Sequence, residues 1–335
     1  MAGNRRRTEG VKKNAARGAR PDTAAIAAPQ EIPRSARDKL KMGVVALVGR
    51  PNAGKSTLLN RILGQKVSIV STKPQTTRNR IVGILNEARG QIAFLDTPGI
   101  HKPLHKLNVR MMDHVRTSLS EADVVALIVD ATEPFGKGDQ FVIELLRDVA
   151  KGKRIAILNK IDQLKKNKLL PIIQQYSETK LFDEIVPISA TKGDGVPEFI
   201  DLLFKIVAPG EPMYPSEEYT TQPERFFAAE IVREKVLQHT ADELPYTTAV
   251  SVDRWEEDEE KNLIKIYATI VVERESQKPI VIGKGADMVK RIGTEARIEL
   301  ESILGAKVFL DLHVAVHERW REDERFLGEL EWPLS

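Results

Sequence analysis

Gly49-Arg50-Pro51-Asn52-Ala53-Gly54-Lys55-Ser56 fits the pattern G-x-x-x-x-G-K-[ST], and its flanks constrain how such a segment folds. Upstream, Val44 to Val48 form the short apolar run of a buried strand. Downstream, Ser56 to Leu63 read as a helix that ends at Gly64. Glycines let the chain curl until successive N–H groups face one anion, and the helix N-terminus adds partial positive charge at that point. Lys55 can then reach the β- and γ-phosphates of a nucleotide, and the Ser56 hydroxyl can bind Mg²⁺. Thr57 continues the first helical turn. A bare glycine turn before a helix is the plain alternative, and the strand–loop–helix context argues against it.

Later segments narrow the nucleotide. Asp96-Thr97-Pro98-Gly99 follows a second apolar strand, Ile92 to Leu95. An acid at that strand end can hold Mg²⁺ directly or through water, and the Gly99 N–H can touch the γ-phosphate. Asn159-Lys160-Ile161-Asp162 follows the strand Ile155 to Leu158. The Asp162 carboxylate can accept from guanine N1–H and its exocyclic amine, whereas adenine would leave it unpaired. The Lys160 stem can cover the base, and Asn159 can tie loops together. Ser189-Ala190, after Ile185 to Ile188, can offer a backbone N–H to guanine O6. The polar stretch Lys73 to Arg80 carries two threonines. Thr77 is the candidate to close over Mg²⁺ and the γ-phosphate, with Thr76 the other choice. Catalytic candidates are therefore Lys55, Thr77 and Gly99, and the Mg²⁺ candidates are Ser56, Thr77 and Asp96.

This ordered set, over about residues 42–209, resembles the small GTPase-domain superfamily. The resemblance implies an α/β domain with a mostly parallel sheet covered by helices on both faces, using GTP, GDP and Mg²⁺. Ile100 stands where Ras-like relatives carry a water-orienting glutamine, so the similarity is to bacterial GTPases with an apolar residue there. In those relatives an asparagine at the place of Asn52 can help hold K⁺. Here Asn52 either does so or is a turn residue. Slow intrinsic hydrolysis is expected, because nothing in the sequence positions the attacking water.

The chain of 335 residues has room for two domains and a tail. It lacks cysteine, which excludes disulfides and thiol catalysis. No apolar run approaches a membrane span. Residues 1–41 hold eleven basic side chains against four acidic ones, a net +7, so the remainder of this +3 chain sums to −4. That tail reads as disordered when free. A polyanion-binding arm, an organelle transit peptide and an inert solvated tail are the three readings of it.

A Pro-rich stretch, 210–223, reads as a semi-extended linker. Beyond it, Ala228, Ile231, Val232 and Val236 form a helical stripe. Two alternating strands follow, with the acidic run Glu256 to Glu260 expected as the solvated loop between them. A short helix, the turn Gly283-Lys284-Gly285-Ala286, a longer helix and a strand over 308–316 complete the unit. His101 and His105 have a spacing seen in metal pairs, but nothing nearby completes a site. Glu318 to Arg325 read as a solvated terminus of mixed charge, and Trp320 and Trp332 of the C-terminal segment 319–335 could pack or anchor a partner.

The order helix, strand, strand, short helix, glycine turn, helix, strand resembles a type II KH domain, a smaller α+β fold, over 224–318. Such domains clamp single-stranded RNA against a Gly-x-x-Gly loop. The resemblance carries RNA contact to Gly283, Lys284, Gly285, Ala286, Lys290 and Arg291. Ala286 replaces the usual last glycine. Being small and helix-compatible, it is expected to keep the turn. A GTPase domain followed by this KH domain resembles the Era family of bacterial ribosome-assembly GTPases over about 42–320. That implies binding of small-subunit ribosomal RNA near its 3′ end and action on the pre-small-subunit particle. It also implies a cytoplasmic monomer, with peripheral contact at the inner membrane face. A GTPase whose second domain docks a protein or membrane partner is the alternative. A passive RNA binder with a nucleotide site that does not turn over is another.

Overall fold

The structure, a computed structural model, describes residues 40–330 apart from Pro74, Asp242 and Glu243. The basic tail and Trp332 lie outside the described residues. Strands β1 (Lys41–Gly49), β2 (Ile81–Glu87), β3 (Gly90–Asp96), β4 (Val124–Asp130), β5 (Lys153–Asn159), β6 (Glu184–Pro187) and β7 (Ala208–Pro209) form one sheet. Its order is β2-β3-β1-β4-β5-β6, with β7 paired to β1. β3, β1, β4, β5 and β6 are mutually parallel, and β2 and β7 run antiparallel to their partners.

Alternation along β1 builds two cores from one strand. Val45 and Leu47 face helices α1 (Lys55–Leu63) and α5 (Val196–Ile206), with Leu58, Leu59, Phe199 and Leu203. Ala46 and Val48 face α2 (Lys106–Glu121), α3 (Lys137–Val149) and α4 (Leu169–Glu178), with Val115, Leu119 and Leu146. Successive connections leave β1 toward opposite edges of the sheet, so a crevice opens at the carboxyl ends of the parallel strands. Gly49, Asp96, Asp130 and Asn159 all sit at that edge.

The second unit comprises α6 (Glu224–His239), α7 (Leu244–Thr247), β8 (Ala249–Asp258), β9 (Leu263–Val272), α8 (Lys278–Ile282), α9 (Asp287–Leu304) and β10 (Lys307–Val316). Its sheet order is β10-β9-β8. β9 is antiparallel to β8 and parallel to β10. Ile264, Ile266, Ala268, Ile270 and Val272 of β9 pack against Ile292, Ala296 and Leu300 of α9.

Three local expectations change. β8 runs on to Asp258, so Glu256 to Asp258 belong to a strand and only the residues after them turn. Cross-strand pairing to Lys265 and Ile264 offsets the weak strand preference of the acids. The stretch 210–223 is fastened along the outer edge of β2. The Ile84 N–H donates to the Tyr219 carbonyl at 2.8 Å, Thr220 Oγ1 to the Val82 carbonyl at 2.7 Å, and the Gln91 side chain accepts from the Met213 and Tyr214 amides. The region 318–325 is not a solvated end. Trp320 is fully buried and donates to the Thr247 carbonyl at 2.8 Å, and α10 (Glu324–Leu330) packs Leu327 beside Leu107 and Met111 of α2.

Helix α6 is buried on every side from Phe226 to Leu237. One side carries the predicted stripe into the KH core. The other meets the GTPase unit through Arg233, at the Thr76 carbonyl, and Glu234, at Lys66 and the Val70 N–H. Among the described residues no helix is long and apolar enough to cross a membrane.

Candidate nucleotide site and its contact with the KH unit

β1 ends at Gly49 and the chain turns back into α1 through residues that tolerate no larger side chain. A Cβ on Gly49, whose φ is +152°, would lie 2.3 Å from the Ile128 carbonyl oxygen. One on Gly54, φ +97°, would lie 2.2 Å from Asn159 Nδ2. Gly54 is the N-cap of α1, and among the described residues no side chain caps that helix and no acid sits in its first turn. Its leading amides therefore remain available to an anion. Lys55 is buried, with Nζ donating to the Gly49 and Arg50 carbonyls at 3.3 and 3.1 Å. Burial pulls its pKa down to about 8, and the charge of Asp96 opposes that shift. Pro51 packs against Gly99, where a Cβ would stand 2.8 Å from the proline ring. Asn52 takes φ 62° and donates from Nδ2 to the Thr72 carbonyl at 2.8 Å. Arg50 points away from the loop to Asp139 at 3.1 Å.

Ser56, Thr77 and Asp96 converge. Ser56 Oγ is 2.7 Å from Asp96 Oδ2 and 2.9 Å from Thr77 Oγ1. Thr76 instead turns its hydroxyl to the Lys73 carbonyl at 2.6 Å. Asp96 is fully buried, which pushes its carboxyl pKa up, against the pull of Lys55. Its Oδ1 has no hydrogen-bond partner among the described residues. A buried, orphaned carboxylate oxygen beside two hydroxyls is a donor set that a hard divalent cation fits. Ser68, absent from the sequence reading, also donates to Asp96 Oδ2 at 2.9 Å. No local motif announces it. Thr97 faces inward, and its hydroxyl donates to the Leu47 carbonyl at 2.8 Å. The neighbouring strands thus hold the Asp96–Gly99 turn in place.

At the other end of the crevice, Asn159 Nδ2 donates to the Ala53 carbonyl at 2.8 Å, joining the β5 loop to the phosphate loop. Lys160 sits in the left-handed region, φ 68°, and pairs with Asp130. Asp162 accepts from Ser189 Oγ at 2.6 Å. The amides expected to face guanine O6 are engaged internally. The Ala190 N–H donates to Asn159 Oδ1 at 3.0 Å and the Ser189 N–H to the Asp194 carbonyl at 2.9 Å. Ser189 and Ala190 therefore act here on Asp162 and Asn159.

The stretch after the phosphate loop is held by the KH unit. Arg78 Nη1 donates to the Thr248 carbonyl at 2.7 Å and Nη2 to the Pro245 carbonyl at 3.0 Å. Arg233 of α6 bonds the Thr76 carbonyl and pairs with Glu230. Nearby, Lys66 meets Glu234 at 2.5 Å and also Glu299, while Lys235 pairs with the same two acids.

In the KH loop, Gly283, Gly285 and Ala286 all have positive φ, at 77°, 62° and 65°. A Cβ on Gly283 would stand 2.7 Å from Met288. Ala286 keeps the turn, as expected, but by taking the left-handed conformation as the N-cap of α9. Lys284 lies in the loop. Lys290 reaches the Gly285 carbonyl at 3.4 Å, and Arg291 pairs with Glu295 at 3.1 Å.

Comparison with known proteins agrees with both units. Residues 44–160 match the family described as 50S ribosome-binding GTPase, and residues 243–321 match the KH domain family. The chain is 49% identical over 290 residues to GTPase Era of Geobacter metallireducens, covering 87% of this chain and 97% of that protein. A crystal structure of an Era variant from Aquifex aeolicus bound to GDP·AlF4− superposes with a TM-score of 0.82 at 41% identity, covering 87% of this chain and 99% of that one. A structure of Era with MgGDPNP and nucleotides 1506–1542 of 16S ribosomal RNA gives 0.83 at 41% identity, with 87% and 98% covered. A phosphate-loop GTPase domain followed by a KH domain with a three-stranded mixed sheet, at this level of identity, makes the chain a member of the Era GTPase family.

Proposed function

We propose that this GTPase is a nucleotide-operated switch that binds small-subunit ribosomal RNA near its 3′ end through the KH loop and acts in maturation of that subunit. The phosphate-loop amides, the α1 N-terminus and Lys55 hold the β- and γ-phosphates. Asp162 reads guanine N1–H and the exocyclic amine, with Asn159 and Ser189 fixing the loops around it. Ser56, Thr77 and Asp96 would hold Mg²⁺. When bound, Mg²⁺ neutralises charge that builds on the phosphate oxygens. Ile100 is 3% exposed and apolar, so it cannot orient water, and intrinsic turnover is slow. Stimulation by K⁺, with Asn52 on the ion, belongs to the same proposal. Equal rates in sodium and potassium would remove that part.

A single observation supports the switch most. Thr77 faces Ser56, while its two neighbours are held by the KH unit, Thr76 through Arg233 and Arg78 through Thr248 and Pro245. Closing Thr77 over the γ-phosphate therefore pulls on the KH unit directly. The stretch 210–223, bonded to β2 and β3, is a second connection between the units. By linkage, RNA and GTP favour each other reciprocally. The test is RNA affinity measured with GDP and with a non-hydrolysable GTP analogue, with Lys284→Glu and Lys55→Ala as controls. Tighter binding with the analogue is expected. Lys284→Glu should lose RNA only, and Lys55→Ala should lose phosphate release. Equal RNA affinity in the two nucleotide states ends the switch reading.

A further inference from the structure

His101 stands two residues beyond Gly99, and its imidazole touches three separate parts of the GTPase unit. Nδ1 lies 2.7 Å from the Gly99 carbonyl oxygen. Nε2 lies 2.8 Å from Asn108 Nδ2 and 3.2 Å from Gln75 Nε2. A carbonyl can only accept and the two amide nitrogens can only donate, so the network admits one tautomer. The proton sits on Nδ1 and is donated to Gly99, and the Nε2 lone pair receives the two amides.

The Gly99–Ile100 peptide is thereby gripped at both ends. Its carbonyl accepts from His101, and its N–H donates to the Gly49 carbonyl at 3.0 Å. Pro51 packs so closely beside Gly99 that any side chain there would collide with the phosphate loop. Gln75 lies two residues before Thr77 and is held in the left-handed region at φ 61°. Asn108 is buried in the first turn of α2, so it supplies a fixed post. One ring therefore joins the segment that carries Thr77 to the segment that carries Gly99.

We propose that His101 is a positioning residue for GTP hydrolysis, tethering the Gln75–Thr77 segment to the Gly99 turn so that the two close over the γ-phosphate as a unit. This rests on the reading of Thr77 and Gly99 as the groups that meet the γ-phosphate. Without the ring, each segment must be ordered separately at the transition state, which raises the barrier without weakening the grip on GDP. The phosphate loop and the Asp162 end do not use His101.

Three variants separate the contacts. His101→Phe keeps a ring and loses both arms. His101→Asn keeps a donor at the Nδ1 position for Gly99. Gln75→Ala removes the arm to the first segment only. For His101→Phe, kcat is expected to fall about tenfold, the equivalent of one net hydrogen bond. KM and GDP affinity should stay within about twofold, and His101→Asn should recover part of the loss. Adding Gln75→Ala to His101→Phe should cost nothing more. In nucleotide-free protein, amide hydrogen exchange at Ile100 should speed up in His101→Phe. Unchanged kcat in His101→Phe overturns the proposal. So does a parallel loss of GDP affinity and thermal stability that His101→Asn does not relieve, because that describes packing alone. A wild type that releases no phosphate would instead strike the reading of the site, and the Ile100 exchange rate would still decide the tether.

Discussion

Arg78 donates to the Thr248 carbonyl of the KH unit at 2.7 Å, while the residue before it, Thr77, stands 2.9 Å from Ser56 at the phosphate loop. One short segment therefore faces two partners at once. Arg78 is 8% exposed. Burial and the neighbouring Arg233 pull its pKa down to about 9, with Glu230 opposing, and it stays charged at neutral pH. Its face also lies 5.4 Å from the Trp320 ring centroid, a cation–π contact in a desolvated setting.

Replacing Arg78 by Met keeps much of the buried stem and leaves the Thr248 and Pro245 carbonyls without a donor. Loss of about 3 kcal/mol of stability is expected, the scale of breaking a buried charged contact. The more informative readout is coupling. In Arg78→Met the ratio of RNA affinities in the GTP-analogue and GDP states should fall toward one, while affinity for GDP itself holds. Chemical denaturation and RNA titrations in both nucleotide states measure the two effects.

Trp320 and the charged pairs around it should differ sharply in weight. Trp320→Ala removes a fully buried ring and its hydrogen bond to Thr247, at a cost of roughly 3–5 kcal/mol. Glu324, by contrast, is more than half exposed while it meets Arg110 at 2.6 Å. Glu324→Gln should therefore leave stability close to that of the parent, and salt should erase any remaining difference. Comparable losses from the two substitutions would contradict this account of how the C-terminal segment docks.

The parts legible in the sequence are those where a few consecutive residues carry their own geometry. The phosphate loop, the Asp96 turn and the Asn159–Asp162 turn each follow an apolar strand, so strand order alone delivers them to one edge. The contact between the two units was not legible. Glu230, Arg233, Glu234 and Lys235 look like the wet face of an amphipathic helix, because their partners, the Thr76 carbonyl, Lys66 and Glu299, lie far away in the chain. Trp320 sits among charges that suit a solvated end, and only the docked position of α10 reveals why a tryptophan is there. At Ala286 the surviving turn was legible but its left-handed conformation was not, because a residue's size is visible in the sequence and its backbone angle is not.

In the proposed function, specificity for guanine rests on the Asp162 carboxylate. Asp162 accepts from Ser189 Oγ at 2.6 Å, which leaves its second oxygen and remaining lone pairs for the base. Asp162→Asn turns one acceptor into a donor. Guanine affinity should drop by at least about a hundredfold, and xanthine nucleotides, which present a carbonyl in place of the amine, should gain in the same measure. Competition of GDP and XDP for the variant, followed by calorimetry, checks this. An unchanged preference would place base recognition elsewhere in the crevice.

Ala286 is held at φ 65° and ψ 22°, where a Cβ crowds its own backbone, immediately before α9. A non-glycine residue there stores roughly 1–2 kcal/mol. Ala286→Gly should therefore stabilise the KH unit by about 1 kcal/mol. The sign is diagnostic. In a helix interior the same exchange destabilises by a similar amount, so a rise in melting temperature supports the left-handed cap and a fall supports a helical Ala286. Ala286→Val, branched at the crowded carbon, should move the other way and cost more than the glycine gains. Thermal melts of the three proteins in the GDP state, where the nucleotide site is equally occupied, give the comparison without interference from differences in ligand binding.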